Sequence, residues 1–275
     1  MTAEVPVIAP DPADEDGAGG KMPLLDHLIE LRSRLLKSLL AIAVAFGVCL
    51  YFARTLLTVL VHPLTVAGLK KLIYTKPTEA FFVEMKVALF AAMMLAFPVI
   101  ANQLWKFVAP GLYRKERRAL LPFLVATPLL FAAGASFAYF VTIPIALHFL
   151  FGFQRDLGGV TQEALPATGE YITFIMQFLM AFGIAFLLPI LLMLIERSGL
   201  VTREQLVSAR RYMIVAAVAI GAVFTPPDVL SQLLLAGPLI LLYELSLIAI
   251  WFTQRRRKKT GAEAAPVEPL DEAQG

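Results

Sequence analysis

The stretch 210–251, RRYMIVAAVAIGAVFTPPDVLSQLLLAGPLILLYELSLIAIW, decides how often this chain crosses a membrane. After Arg210-Arg211, the apolar run 213–224 stops at Thr225-Pro226-Pro227-Asp228, and a second run, 229–251, begins at once. As a helix, 213–224 gives about 18 Å, short of the roughly 30 Å hydrocarbon core. It is therefore either re-entrant or one arm of a short hairpin that crosses where the protein thins the bilayer. The basic pair at one end and the Pro-Pro turn at the other favour the crossing.

The rest of the chain supports the same frame. It has 275 residues, of which 59% are hydrophobic and 16% charged, and its mean hydropathy is +0.74. So few charges cannot solvate so much apolar surface, whereas lipid can surround it. Four apolar blocks precede the hairpin, at 35–57, 82–105, 119–150 and 171–195, the first following an amphipathic stretch, 24–34. The third block would be about 46 Å long as a helix, so it must tilt, kink or protrude. Pro122, Pro128 and Pro144 are its candidate kink points, and Pro189 lies in the fourth block. The expectation is an all-α integral membrane protein with a six-helix domain over 21–254. It is flanked by a disordered acidic tail, 1–20, and a basic then disordered tail, 255–275. The N-terminal tail lacks the basic start and apolar run of a signal peptide.

Lys and Arg set the orientation. With six spans, 18 cations fall on the side of the termini and four (Lys70, Lys71, Lys76, Arg155) on the other, with Arg54 and Lys86 near helix ends. Both ends are therefore expected in the cytoplasm. Several function classes drop out. The single cysteine, Cys49, excludes a disulfide framework or a CxxC site, and His27, His62 and His148 are too dispersed for a metal centre. No cofactor or metal is expected, no pattern points to nucleic acid, and no internal repeat is visible. Ser136 and His148 suggest an intramembrane protease, but on one helix they lie about 18 Å apart, too far for the hydrogen bond that activates a serine. The chain is not expected to be an enzyme.

Four features could carry function. Glu30 and Arg34 are i,i+4 neighbours on an amphipathic helix, which on spacing alone is a surface ion pair. Glu116 is a lone carboxylate beside Arg114, Lys115, Arg117 and Arg118; it either balances charge or, with Glu30, faces a ligand bearing two guanidinium groups. Thr225 and Gln232 flank the Pro-Pro turn as a shallow polar patch, with Asp228 or Ser231 available to cap the last helix. Glu244 lies inside an apolar run, either deep or, if the helix is short, near the interface; Gln177 is a candidate interhelical hydrogen bond. A small-solute transporter using Glu244 and Gln177 is the alternative reading.

HLIELRSRL at 27–35, FVAPGLYRKERR at 107–118, FAYFVTIPIAL at 137–147 and TPPDVLSQ at 225–232 occur in that order over about 22–252. Together they resemble the TatC family, the polytopic subunit of the twin-arginine protein translocase. The resemblance implies a cupped six-helix bundle with short fifth and sixth helices in the bacterial cytoplasmic (inner) membrane. It implies a receptor for the twin-arginine signal peptides of folded cargo, driven by the proton-motive force, and partners of the TatA and TatB type, single-span proteins, in a complex of several copies. By resemblance Glu30 and Glu116 bind the signal's arginines, with Phe107, Pro110 and Arg32 in support. Met213, Phe224, Thr225 and Gln232 match the partner-docking region, and Pro63 matches a proline of the first periplasmic region. The absence of a GxxxxGK phosphate loop agrees with transport not driven by nucleotide hydrolysis. One departure is visible: the family's polar residue in span four is here Leu187, within Phe186-Leu187-Leu188-Pro189.

Overall fold

Phe52 ends the first helix earlier than the apolar run does. In the computed structural model, which describes residues 24–108, 117–156, 161–162, 164–224 and 228–263, α1 (Leu24–Tyr51) stops six residues before the expected limit. After the single non-helical residue Phe52, α2 (Ala53–Val66) begins, buries Pro63 and carries Leu60 and Leu64 into the main core. Hydrophobicity continues across this break because both segments are apolar. The turn between them is invisible to a composition window.

The remaining elements follow from local chemistry. α3 (Glu79–Val108) is unbroken through Pro98. α4 (Arg117–Phe137) passes through Pro122 and Pro128 without interruption. A π-helical segment, Ala138–Thr142, then leads into α5 (Ile143–Phe151), so of the three candidate prolines the irregularity lies at Pro144. A proline donates no N–H and crowds the preceding turn, and the wider π turn absorbs that mismatch. A two-residue antiparallel pair, β1 (Arg155–Asp156) with β2 (Thr161–Gln162), adds a small hairpin to the helical frame. α6 (Thr168–Ala185) and α7 (Leu188–Arg197) form one broken rod around Phe186-Leu187, with Pro189 in the first turn of α7. α8 (Arg203–Ser208) opens with a reciprocal capping box between Thr202 and Gln205. α9 (Arg210–Phe224) and α10 (Val229–Glu263) complete the chain.

Five stretches are long and apolar enough to cross a membrane: Leu28–Tyr51, Glu79–Phe107, Phe123–Phe151, Thr168–Arg197 and Val229–Arg255. The 15-residue α9 is the sixth, short crossing. α10 continues as a helix through the basic run 255–259, so the helix itself is long. What is short is its apolar part before the first charge, Val229 to Tyr243, which matches α9 in length.

α6 is the hub. Ile172, Ile175, Phe178 and Phe182 are fully buried there, against Leu60 and Leu64 of α2, Val87 of α3, Ile143 and Leu147 of α5, and Leu235 of α10. Two glycines let α4 approach it. A Cβ on Gly134 would lie 2.4 Å from the Phe182 carbonyl oxygen, and one on Gly183 would lie 2.6 Å from the Phe131 ring. α1 and the first residue of α2 meet α3 along a seam of small residues at helical spacing, Ala45, Cys49 and Ala53 against Ala88, Ala92 and Ala96. Close backbone approach of this kind is how helices associate where lipid supplies no hydrophobic drive.

Polar contacts define the two ends of the bundle. At one end Trp105 Nε1 donates to Thr127 Oγ1 (2.8 Å), Arg197 lies over the Phe123 ring, and Gln254 Nε2 donates to Glu196 Oε1 (2.8 Å). At the other, Tyr171 Oη donates to the Leu60 carbonyl, Tyr139 Oη to the Val59 carbonyl, and Ile73 bridges to Ala167. The starts of α1 and α4 and the ends of α3, α7 and α10 therefore share one end, where the described cations Arg34, Lys37, Lys106, Arg197 and Arg255 lie.

Candidate functional site

Glu30 sits two turns inside α1, on the face that continues through Arg34, Lys37 and Ala41 by i,i+3/i+4 steps. Arg34 Nε donates to Glu30 Oε1 (3.0 Å), and Arg34 Nη2 donates to the same oxygen. The side chains are 22% and 19% exposed, so this is a sheltered pair and not a solvated one. Glu30 Oε2 is buried and has no hydrogen-bond partner among the described residues. A carboxylate carries about four acceptor sites, and here one whole oxygen stands empty beside a bound guanidinium. Arg32 is exposed on the neighbouring face, and Phe107 is half-buried near the end of α3. Glu116 and Pro110 lie outside the described residues, so the second carboxylate and its supporting proline stay an expectation.

At the hairpin tip the expected cap is present, and Gln232 is placed differently from the expectation. Asp228 Oδ2 accepts from the Ser231 backbone N–H (2.7 Å), which caps α10. Gln232 Nε2 donates to the Val218 carbonyl of α9 (3.0 Å), so the side chain expected to face a partner fastens the hairpin to itself. A Cβ on Gly221 would meet the Gln232 carbonyl at 3.0 Å, so α9 and α10 are in close contact here. Ser231 Oγ and Asp228 Oδ1 are buried without partners among the described residues. Thr225 lies outside the described residues. Met213 packs beside Leu206, Tyr243 and Leu247, and Phe224 packs on the main core, so both turn inward. The outward face of α9 belongs to Tyr212, Val215 and Val223, which the sequence reading missed. Only the burial of Ala217 and Gly221 reveals that face.

Glu244 is paired at the level of the first residue of α9. Its Oε2 accepts from Arg210 Nη2 (2.8 Å), with side chains 40% and 49% exposed, and Arg210 is the first residue of α9. This removes the deep carboxylate on which the transporter reading rested. Gln177 is exposed on α6 and makes no interhelical hydrogen bond among the described residues. Pro63 is buried within α2. One further carboxylate, unexpected from sequence, organises the opposite end. Glu79 accepts from the Thr75 N–H (2.6 Å), the Thr75 hydroxyl (2.9 Å), the Lys76 N–H (3.3 Å) and the Gly169 N–H (2.6 Å). It ties the α2–α3 loop to the start of α6. Among the described residues no group of His, Cys, Asp and Glu is disposed to hold a metal ion.

Comparison with known proteins places this geometry. Residues 26–238 match the family described as Sec-independent protein translocase protein (TatC). The chain is 44% identical over 248 residues to the TatC of Magnetococcus marinus, covering 89% of each. It is 42% identical over 241 residues to that of Aquifex aeolicus, covering 86% of this chain and 98% of the relative. It is 38% identical over 234 residues to that of Escherichia coli K12, covering 84% and 88%. A crystal structure of the twin arginine translocase receptor TatC superposes with a TM-score of 0.73 at 41% identity, covering 83% of this chain and 99% of that one. With the helical frame, the ends of the bundle and this extent of similarity in agreement, the chain belongs to the TatC family of Sec-independent protein translocase proteins.

Proposed function

We propose that this chain is the twin-arginine signal-peptide receptor and core subunit of a translocase that exports folded proteins across the bacterial cytoplasmic membrane, driven by the proton-motive force. The basic end of the bundle faces the cytoplasm, as the cation asymmetry requires. There Glu30 takes one signal arginine and Glu116 the other, with Arg32, Phe107 and Pro110 around them. The observation that carries this reading is the state of Glu30: Oε1 holds the Arg34 guanidinium, and Oε2 is buried and unpartnered. A planar fork can engage the open oxygen or displace Arg34, whereas a lysine ammonium offers a point charge without that geometry. Exposed ion pairs contribute only about 0–1 kcal/mol each, so the shelter around Glu30 and apolar contacts with the rest of the signal supply the remaining affinity.

The α9–α10 tip is the docking place for single-span partners of the TatA and TatB type, several copies of the chain being assembled with them. Support comes from the unpartnered Ser231 Oγ and Asp228 Oδ1 and the apolar face of Val215 and Val223. Thr225 adds a further polar group by position. Met213, Phe224 and Gln232 shape this surface from behind. The test is photo-crosslinking of a twin-arginine signal peptide to the purified complex. Glu30→Gln and Glu116→Gln are each expected to weaken the adduct, and the double variant to remove it. A double variant that crosslinks as well as the parent refutes the assignment.

A further inference from the structure

α1 touches the bundle mainly through α3, and little of its membrane-spanning stretch is buried. On the basic side of their small-residue seam the two helices leave a groove of about 490 Å³. Its floor is Ala41, Ala45 and Ala96. Its walls are Leu40, Val44 and Val48 from α1 and Leu95 and Val99 from α3, all turned largely outward. It ends where Cys49 meets Ala88 and Ala92. From Lys37 to Val48 the helix rises about 16 Å, the depth of one leaflet of a core about 30 Å thick. The only charged residue of the lining is Lys37, at the mouth. Lys37 has no ion-pair or hydrogen-bond partner among the described residues, and the nearest cation on its face, Arg34, is held by Glu30.

A one-leaflet apolar groove with a cation that is unpaired among the described residues has the chemistry of a lipid site. A transmembrane helix needs a seam through both leaflets, and this one closes half-way. A cationic peptide is repelled by Lys37. We propose that the α1–α3 groove binds a phospholipid with an anionic headgroup, its phosphate on Lys37 and one acyl chain over Ala41 and Ala45. The Lys37 ammonium reaches the headgroup while its stem lies along the groove.

The test uses the full chain in vesicles of phosphatidylcholine containing a minor fraction of phosphatidylglycerol with a diazirine on one acyl chain. Label is expected on 40–48 and 95–99, with a preference over diazirine phosphatidylcholine. Lys37→Gln should lower that preference about fivefold, the weight of one juxtamembrane cation. Lys37→Arg should retain it, and Lys86→Gln at the other end of α3 should not change it. Ala41→Phe, which fills the floor, should lower labelling by either lipid while leaving the thermal midpoint near the parent's. Equal labelling by both lipids, a preference that survives Lys37→Gln, or a benzophenone at Val44 that captures protein in place of lipid overturns the proposal.

Discussion

At the scale of single residues, Glu30 and Arg34 were legible as a pair from their spacing, but the empty second oxygen was not. It depends on burial that spacing does not encode. On the proposal that Glu30 receives a signal arginine, Arg34 is a built-in competitor for it. An i,i+4 pair of this type is worth about 0.3–0.5 kcal/mol, so Arg34→Gln should raise twin-arginine peptide affinity about twofold. Glu30→Gln should abolish most of it. Titration of a labelled peptide against the protein in nanodiscs measures both, and a loss of affinity in Arg34→Gln contradicts the competitor role. Glu79 shows the opposite balance. Its four accepted hydrogen bonds make it the knot between Thr75, Lys76 and Gly169, yet Gly169 lies 90 residues away in sequence. A carboxylate accepting several backbone N–H groups makes charge-assisted bonds that a neutral side chain cannot replace. Glu79→Ala should therefore lower the thermal midpoint without changing twin-arginine peptide binding at the far end of the bundle. Thermal unfolding followed by circular dichroism, alongside the peptide titration, separates the two effects.

At the scale of elements, apolar runs located the helices but not their faces. Met213 and Phe224 were expected at a docking surface and instead pack inward, because a helix of small and branched apolar residues presents no polar face to orient it. The same limit hid the break at Phe52. Gly134 is a clearer case. In sequence it sits beside Ser136 in a pattern suggestive of catalysis, whereas in the structure it marks where α4 crosses α6 against the Phe182 carbonyl. Gly183 is its counterpart beneath Phe131, whose ring stacks on Phe97 of α3 at 3.7 Å. Three helices thus depend on one small residue. Gly183→Val forces Phe131 off its stack, and overpacking of this kind costs about 1–3 kcal/mol. Pairing it with Phe131→Leu should restore part of the loss, because the smaller side chain vacates the space. Denaturant unfolding of the single and double variants tests the coupling, and strictly additive losses refute it.

At the scale of the whole molecule, the cation count and the bundle's ends agree on an even number of crossings, because charge asymmetry depends on chain parity and not on packing. The thickness of the last hairpin needed the structure. α9 offers 15 residues, and the Arg210–Glu244 pair sets the polar boundary on α10 at the same level. Asp228 caps the other end. Between these boundaries lie about 22 Å of helix, against a core of roughly 30 Å. The long rod from Thr168 to Arg197 has no such limit, so one molecule presents a thick side and a thin side to the same bilayer. Val229–Arg255 of α10 is long enough to cross as a whole, so the 15-residue α9 is the element beside which lipid thins, at a modest cost per ångström of mismatch. In phosphatidylcholines of increasing chain length, the thermal midpoint should peak in bilayers thinner than an ordinary core and fall as they thicken. The double variant Arg210→Leu/Glu244→Leu removes the boundary and lengthens the apolar part of α10 by about 12 Å, to Trp251. Its optimum should move to thicker bilayers. If parent and variant share one optimum, the short hairpin does not set the local thickness, and mismatch at the spans of 29 and 30 residues governs it instead.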